Sequence, residues 1–222
     1  MKLYAQALQQ PVRDPGSVSY SAAIERAATT DLQQSLSNFA LRVQRESTRR
    51  GFDSASRRVV LGDGAAWIWN IADTLFPGAI QIVDRFHVKQ HLSDVAKSVW
   101  GPDSDLGRQW AKDRHAELDE GQIDEILSAL SRHAHACEQA RQCVDYISRN
   151  RSRMDYLHFR QQGLCTSTGV VEAGCKVVVG ARLKRAGMHW SLSGANAILA
   201  LRCSRLSGRF EDFWERPAGS AA

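Results

Sequence analysis

Arg57-Arg58-Val59-Val60-Leu61-Gly62-Asp63-Gly64 reads as a buried strand that stops at a Gly-Asp-Gly turn. Residues 65–75 follow with Trp67, Ile68, Ile71, Ala72 and Leu75 at helical spacing, and Pro77-Gly78 breaks that helix. Ala79-Ile80-Gln81-Ile82-Val83 is then a second strand ending at Asp84. Strand, helix and strand at this spacing predict a βαβ unit, with parallel strands and a right-handed crossover. Asp63 and Asp84 then stand at the carboxyl ends of neighbouring strands, the edge at which open α/β sheets bind ligands.

The 222 residues suffice for one sizeable domain, or one domain with an insertion. Apolar runs such as residues 197–201 fall far short of the ~20 residues a membrane span needs, so no membrane partner is expected. The first residues carry no apolar secretory stretch, and a cytoplasmic protein is expected. Hydrophobic content of 43% and charged content of 24% exclude disorder for most of the chain. Cys137, Cys143, Cys165, Cys175 and Cys203 include no C-x-x-C pair, which reads as reduced thiols and argues against a cysteine zinc finger.

The net charge of +5 is unevenly spread. Residues 173–210 contain no Asp or Glu but hold Lys176, Arg182, Lys184, Arg185, Arg202, Arg205 and Arg209, a charge of +7. Residues 113–125 are acidic. The basic stretch is the expected phosphate-facing region, against the plainer reading of a solvated helix face.

Further elements follow from periodicity. Residues 3–8 read as a short strand, and residues 11–17 as loop. Residues 31–50 predict a helix that Thr30 or Asp31 caps and Gly51 ends. From His87 to about Arg160 the pattern is helical without a strand, which reads as an insertion into the α/β pattern. Residues 170–186 predict a helix capped by Ser167 or Thr168, in which Gly174 and Gly180 point to close packing. Residues 193–206 predict the last helix.

The candidate chemistry lies in a few polar side chains. Asp63, between two glycines at a strand end, is placed as a hard-oxygen metal ligand, or marks an ordinary strand-ending turn. Glu172 is the only acid in residues 156–210. It reads as a metal ligand facing nucleic-acid phosphate, or as a helix-dipole partner. Asp84, His87 and His91 admit a zinc site, although H-x-x-x-H without the H-E-x-x-H glutamate is a weak pattern. His189 and Trp190 form a polar and aromatic cluster; Trp190 suits stacking on an unpaired base or burial in a core.

Taken together these segments resemble a family. Gly62-Asp63-Gly64-Ala65 with Trp67-Ile68-Trp69-Asn70 resembles the second-aspartate motif of bacterial insertion-sequence transposases of the Asp-Asp-Glu class, in their Mutator-related, Kra-type branch. Phe76-Pro77-Gly78-Ala79-Ile80-Gln81-Ile82-Val83-Asp84 with Phe86-His87 resembles that branch's Asp-x-x-His signature. Gly169-Val170-Val171-Glu172-Ala173-Gly174-Cys175-Lys176 resembles its glutamate motif. Gly187-Met188-His189-Trp190 and Gly208-Arg209-Phe210-Glu211-Asp212-Phe213-Trp214-Glu215 resemble its C-terminal signatures.

The resemblance implies a ribonuclease-H-like core with an all-helical insertion. It implies DNA strand cleavage and strand transfer at two Mg2+ or Mn2+ ions, which clamp the attacking and leaving oxygens. It makes Asp63 and Glu172 catalytic metal ligands, with Asp84 and His87 as an accessory pair. Lys176, Arg182, Lys184, Arg185, His189 and Trp190 are then the DNA-facing set. The implied partners are double-stranded DNA, as transposon ends and target, and further copies of the chain, in a bacterial cytoplasm at the nucleoid.

The expected parts are residues 1–87 as the N-terminal part of the core, 88–161 as the helical insertion, 162–216 as the C-terminal helices, and 217–222 as a tail. A first aspartate is expected on an upstream strand. Asp14, Asp31 and Asp53 are the candidates, and none follows a buried strand. The expectation is thus a C-terminal fragment, incomplete at its N-terminus and weak or inactive alone. The rival readings are an intact nuclease with an unusual first acid, a non-catalytic DNA-binding remnant or regulator of transposition, and a helical zinc protein.

Overall fold

The computed structural model describes residues 3–4, 11–12, 18–25, 36–184 and 186–213. In chain order these form β1 (Leu3–Tyr4), β2 (Pro11–Val12), α1 (Asn38–Arg49), β3 (Val59–Gly62), α2 (Ala66–Leu75) and β4 (Ile80–Val83). There follow α3 (Arg85–Trp100), α4 (Asp105–Glu120), α5 (Ile123–Ala134), α6 (Glu138–Asn150), α7 (Tyr156–Gln161), α8 (Gly169–Gly174), α9 (Ala181–Leu183) and α10 (Leu192–Leu206). The described chain is mostly helical, and its α/β character lies in β3, α2 and β4. Two compact units divide it: residues 53–168, and residues 1–52 with 169–222.

In residues 53–168, β3 and β4 pair in parallel from Val59 opposite Ile80 to Gly62 opposite Val83. Asp63 and Asp84 therefore follow paired residues at one sheet edge, as the sequence predicts. The crossover helix α2 buries Trp69, Ile71 and Ala72. The helices α3 to α7 bury Val88, Leu92, Leu118, Ile126, Leu130, Ile147, Tyr156 and others in one core with Ile82 and Val83 of β4. Each such aliphatic side chain contributes about 1.5–3 kcal/mol over its exposed state. A two-stranded sheet cannot stand alone, and this helical layer stabilises it. The boundaries read from sequence, at 87/88 and 161/162, follow changes of element type. The compact units divide elsewhere because the helical block and the strands share this core.

One buried carboxylate ties the edge together. Asp84 is 3% exposed. Its Oδ1 accepts hydrogen bonds from the backbone N–H of Phe86 (2.7 Å) and His87 (3.2 Å), which caps α3. Its Oδ2 accepts from the backbone N–H of Thr168 (2.6 Å) and from the Thr168 hydroxyl. The hydroxyl of Tyr156, itself fully buried, donates to the carbonyl of Val83 at 3.1 Å. Burial pushes the Tyr156 phenol well above its ordinary range, so it stays a donor.

In the second unit, α1 begins at Ser37, whose Oγ accepts from Ala40 N–H. Gly51, with φ +64°, follows it. The predicted start of this helix at residues 31–35 lies outside the described residues, as do Asp14, Asp31, most of residues 3–8 and the tail at 217–222. Pro11–Val12, read as loop, pairs with Leu3–Tyr4 as an antiparallel two-residue ribbon. The helix expected over residues 170–186 is broken into three: α8, a π-helical stretch at Cys175–Gly180, and α9. Gly174 packs closely, since a Cβ there would lie 2.7 Å from the Tyr20 ring, whereas Gly180 has ordinary room. Val178, Leu199 and Cys203 form the small core with Tyr20, Ala22, Val179 and Leu183.

Asp84→Ala should lower the stability of the chain by about 2–4 kcal/mol, by losing the α3 cap and orphaning the Thr168 donors. Thr168→Val should cost about 1 kcal/mol. Urea denaturation followed by circular dichroism checks both values and their order.

Candidate functional site

The Gly62-Asp63-Gly64 turn leaves β3 under tight control. Gly64 has φ +94°, a region that L residues avoid, and a Cβ there would lie 2.6 Å from the Tyr146 ring. The Tyr146 hydroxyl donates to the main-chain carbonyl of Asp63 at 2.7 Å. Asn150, 3% exposed, donates from Nδ2 to the Gly64 carbonyl at 3.2 Å and accepts from Trp69 Nε1 at 2.8 Å. Helix α6 thus grips both carbonyls of the turn. The Asp63 carboxylate stays exposed, with Oδ1 accepting from the Ala65 N–H at 3.0 Å.

An open cleft of about 500 Å³ lies against this turn. Asp63, Asn70 and Asp73 line it with His87 and His91 from α3 and with Tyr146, Arg149 and Arg153 from α6 and the turn after it. The His87 and His91 rings meet edge to face, 5.0 Å between centroids, and His91 lies 4.6 Å from the Tyr146 ring. Burial, then the neighbouring His87, lowers the pKa of His91; Asp94 and Asp63 oppose this. Burial, then Asp63, pushes the Tyr146 phenol up beyond any physiological pH. Arg153 is held from three sides. Its Nε donates to Gln81 Oε1 at 2.7 Å, its Nη1 donates to the Arg149 carbonyl at 3.4 Å, and its guanidinium sits 4.8 Å from the Trp69 ring.

Asp63 and His87 therefore share one cleft, while Asp84 is not among its lining residues. The four hydrogen bonds on Asp84 use the acceptor positions a carboxylate has, and its observed work is to cap α3 and hold Thr168. A zinc site built on Asp84, His87 and His91 loses its carboxylate ligand on the same count. Asp53, a candidate first acid, is exposed in a 3-10 turn and pairs with Arg58 at 3.8 Å.

The remaining sequence candidates belong to the other unit. Glu172 is exposed in the first turn of α8. Lys176, Lys184 and His189 are exposed, and Trp190 is 37% exposed with the Arg182 guanidinium 5.9 Å from its ring. Arg185 lies outside the described residues. The +7 of this stretch is not all free. Arg202 donates to the carbonyls of Val178 (2.9 Å) and Val177 (2.5 Å) in the π-helical stretch, and Arg209 pairs with Glu46 at 3.6 Å.

Tyr146, Asn150, Arg149 and Arg153 are not among the residues singled out from sequence. Their spacing carries a signal, because positions 146, 149, 150 and 153 fall on one helical face. Nothing local says that this face meets the Gly62–Gly64 turn.

The chain belongs to an uncharacterised protein family, UPF0236, whose model matches residues 27–214. No curated protein and no solved structure matches it.

Gly64→Ala should destabilise the chain by about 1–3 kcal/mol, through positive φ and the clash with Tyr146, as thermal denaturation would show. A pH effect follows from His91 and from His115, whose pKa burial also lowers from its ordinary value of 6.5. Below that value the unfolded chain binds protons that these folded imidazoles resist. Stability should be full above about pH 6.5 and fall as pH drops towards the folded values. Urea midpoints at pH 7.5 and 5.5 should differ, and less so in His91→Asn.

Proposed function

We propose that this chain acts on DNA as part of a transposase of the Asp-Asp-Glu class, with Asp63 and Glu172 as metal-ligating carboxylates. The observation that carries the reading is the setting of Asp63. It is an exposed carboxylate at the carboxyl end of a parallel strand, on a turn pinned by Tyr146 and Asn150, at an open cleft. A hard-oxygen ligand fixed on a strand end suits metal-assisted phosphoryl transfer. The motif resemblance of residues 62–70, 76–87 and 169–176 points the same way. A ribonuclease-H-like core belongs to the same proposal, supported by β3, α2, β4 and the helical block between Asp63 and Glu172.

The ions proposed are Mg2+ or Mn2+. Asp63 is one ligand, and among the described residues no group of three His, Cys, Asp or Glu stands ready to hold an ion. The carboxylate by itself is not a metal centre, and the chain alone is proposed to cleave DNA weakly or not at all. The proposed setting is double-stranded DNA at the bacterial nucleoid, with several copies of the chain on paired ends. Among the described residues no helix is long and apolar enough to cross a membrane.

A second reading, a non-catalytic DNA-binding protein or regulator of transposition, is favoured by the exposed Lys176, Lys184 and Arg205 in a stretch without acids. Two measurements separate the readings. Duplex DNA should bind with an affinity that falls roughly 40-fold between about 50 and 200 mM salt, for some three phosphate contacts. No binding at low salt would refute both. Mn2+ binding, followed by electron paramagnetic resonance with DNA present, should be lost in Asp63→Asn and weakened in Glu172→Gln. DNA binding with Mn2+ uptake indifferent to both substitutions leaves the non-catalytic reading standing.

A further inference from the structure

We infer that Arg149 and Arg153 form a phosphate clamp on the α6 wall of the cleft, placing a phosphodiester of the bound strand beside Asp63. The inference rests on the DNA reading above and gives that cleft its substrate contact.

A phosphate brought next to the Asp63 carboxylate meets like charge. Attraction from the wall must offset that repulsion, which is strongest where water is thin. Arg149 and Arg153 line the same cleft as Asp63, and among the described residues neither is paired with a carboxylate. Other arginines of the unit are committed: Arg141 to Glu138, Arg151 to Asp124, Arg114 to Glu117 and Arg85 to Asp119. Among the described residues Arg57, Arg132 and Arg160 also show no carboxylate pair, but none of them lines the cleft; Arg149 and Arg153 are the guanidiniums without a counter-charge that share it with Asp63.

Their local hydrogen bonds leave donors to spare. Arg149 uses Nε on the Asp145 carbonyl at 3.1 Å, and its side chain is exposed. Arg153 uses Nε on Gln81 and Nη1 on the Arg149 carbonyl, and the Trp69 ring supports its plane. Gln81 in turn donates to Asp73 at 2.5 Å, which occupies the other acid of the cleft. A guanidinium fork already held in place loses little side-chain freedom on meeting a phosphate, and its planar donors match two phosphate oxygens. A helical face also sets the two arginines one turn apart, a spacing that suits an extended anion better than a single small one.

The test is duplex and single-strand oligonucleotide binding by fluorescence anisotropy across a salt series. Arg149→Gln with Arg153→Gln should weaken binding about 10-fold or more at about 100 mM salt and flatten the salt slope by roughly 2. Arg149→Gln alone, at an exposed position, should give a smaller loss with an unchanged melting temperature, so a folding defect cannot imitate the result. Arg141→Gln, off the cleft, should bind as the parent does. If the parent binds DNA and the double variant binds equally well, the clamp is refuted while the DNA reading survives. If the parent binds no DNA at low salt, both fall together.

Discussion

A carboxylate withdrawn from water has to be met by donors on every side, and Asp84 is met by four. Those donors come from two places distant in sequence: the first turn of α3 and Thr168. The cap therefore fixes where β4 stops and where α3 starts. It also fixes where the chain returns after the long helical block, because the Arg85 N–H donates to the Thr166 carbonyl at 2.9 Å beside it. Tyr156 closes the same corner through its bond to Val83. With that corner set, the helical layer covers the sheet in one register, and the two strands gain the burial a lone pair lacks.

The cleft is a consequence of this arrangement. With α6 packed against α3 and α5, Tyr146 and Asn150 reach the carbonyls of Asp63 and Gly64, and Gly64 leaves the room the Tyr146 ring needs. The same helix face carries Arg149 and, just beyond it, Arg153. One surface of α6 thus has two parts, a neutral one that grips backbone and a cationic one that faces the opening. His91 joins them. Burial and His87 lower its proton affinity, so it adds no competing charge at neutral pH beside Asp63.

The β3, α2 and β4 unit was legible because β-branched runs, a helical period and Gly or Pro punctuation all agreed within about thirty residues. Asp63 was legible as a strand-end acid for the same reason. Asp84 was legible in position and not in role, since its saturation depends on Thr168, a long-range contact that no local pattern encodes. The face of Tyr146, Arg149 and Arg153 was hidden likewise: its period is visible, and its partner turn is more than eighty residues away. The expected single helix over 170–186 failed for a different reason. Propensity does not foresee a stretch of π-helix, whose loosened carbonyls need an outside donor.

That donor decides how the basic stretch should be counted. Arg202 spends its guanidinium on the carbonyls of Val177 and Val178, and Arg209 is drawn to Glu46. Charge counted along a sequence overstates charge offered to a ligand, because arginine is also a strong donor to stray backbone carbonyls. Lys176, Lys184 and Arg205 have exposed heads, while Arg182 is already laid against Trp190. The same reckoning sorts the arginines of the other unit: residues 141–160 hold five Arg against two Asp, and of these Arg149 and Arg153 line the cleft without a carboxylate partner among the described residues. Within a basic run, local pairing determines which cations stay unspent: Arg151 is taken by Asp124, while Arg149 and Arg153 on either side of it are not.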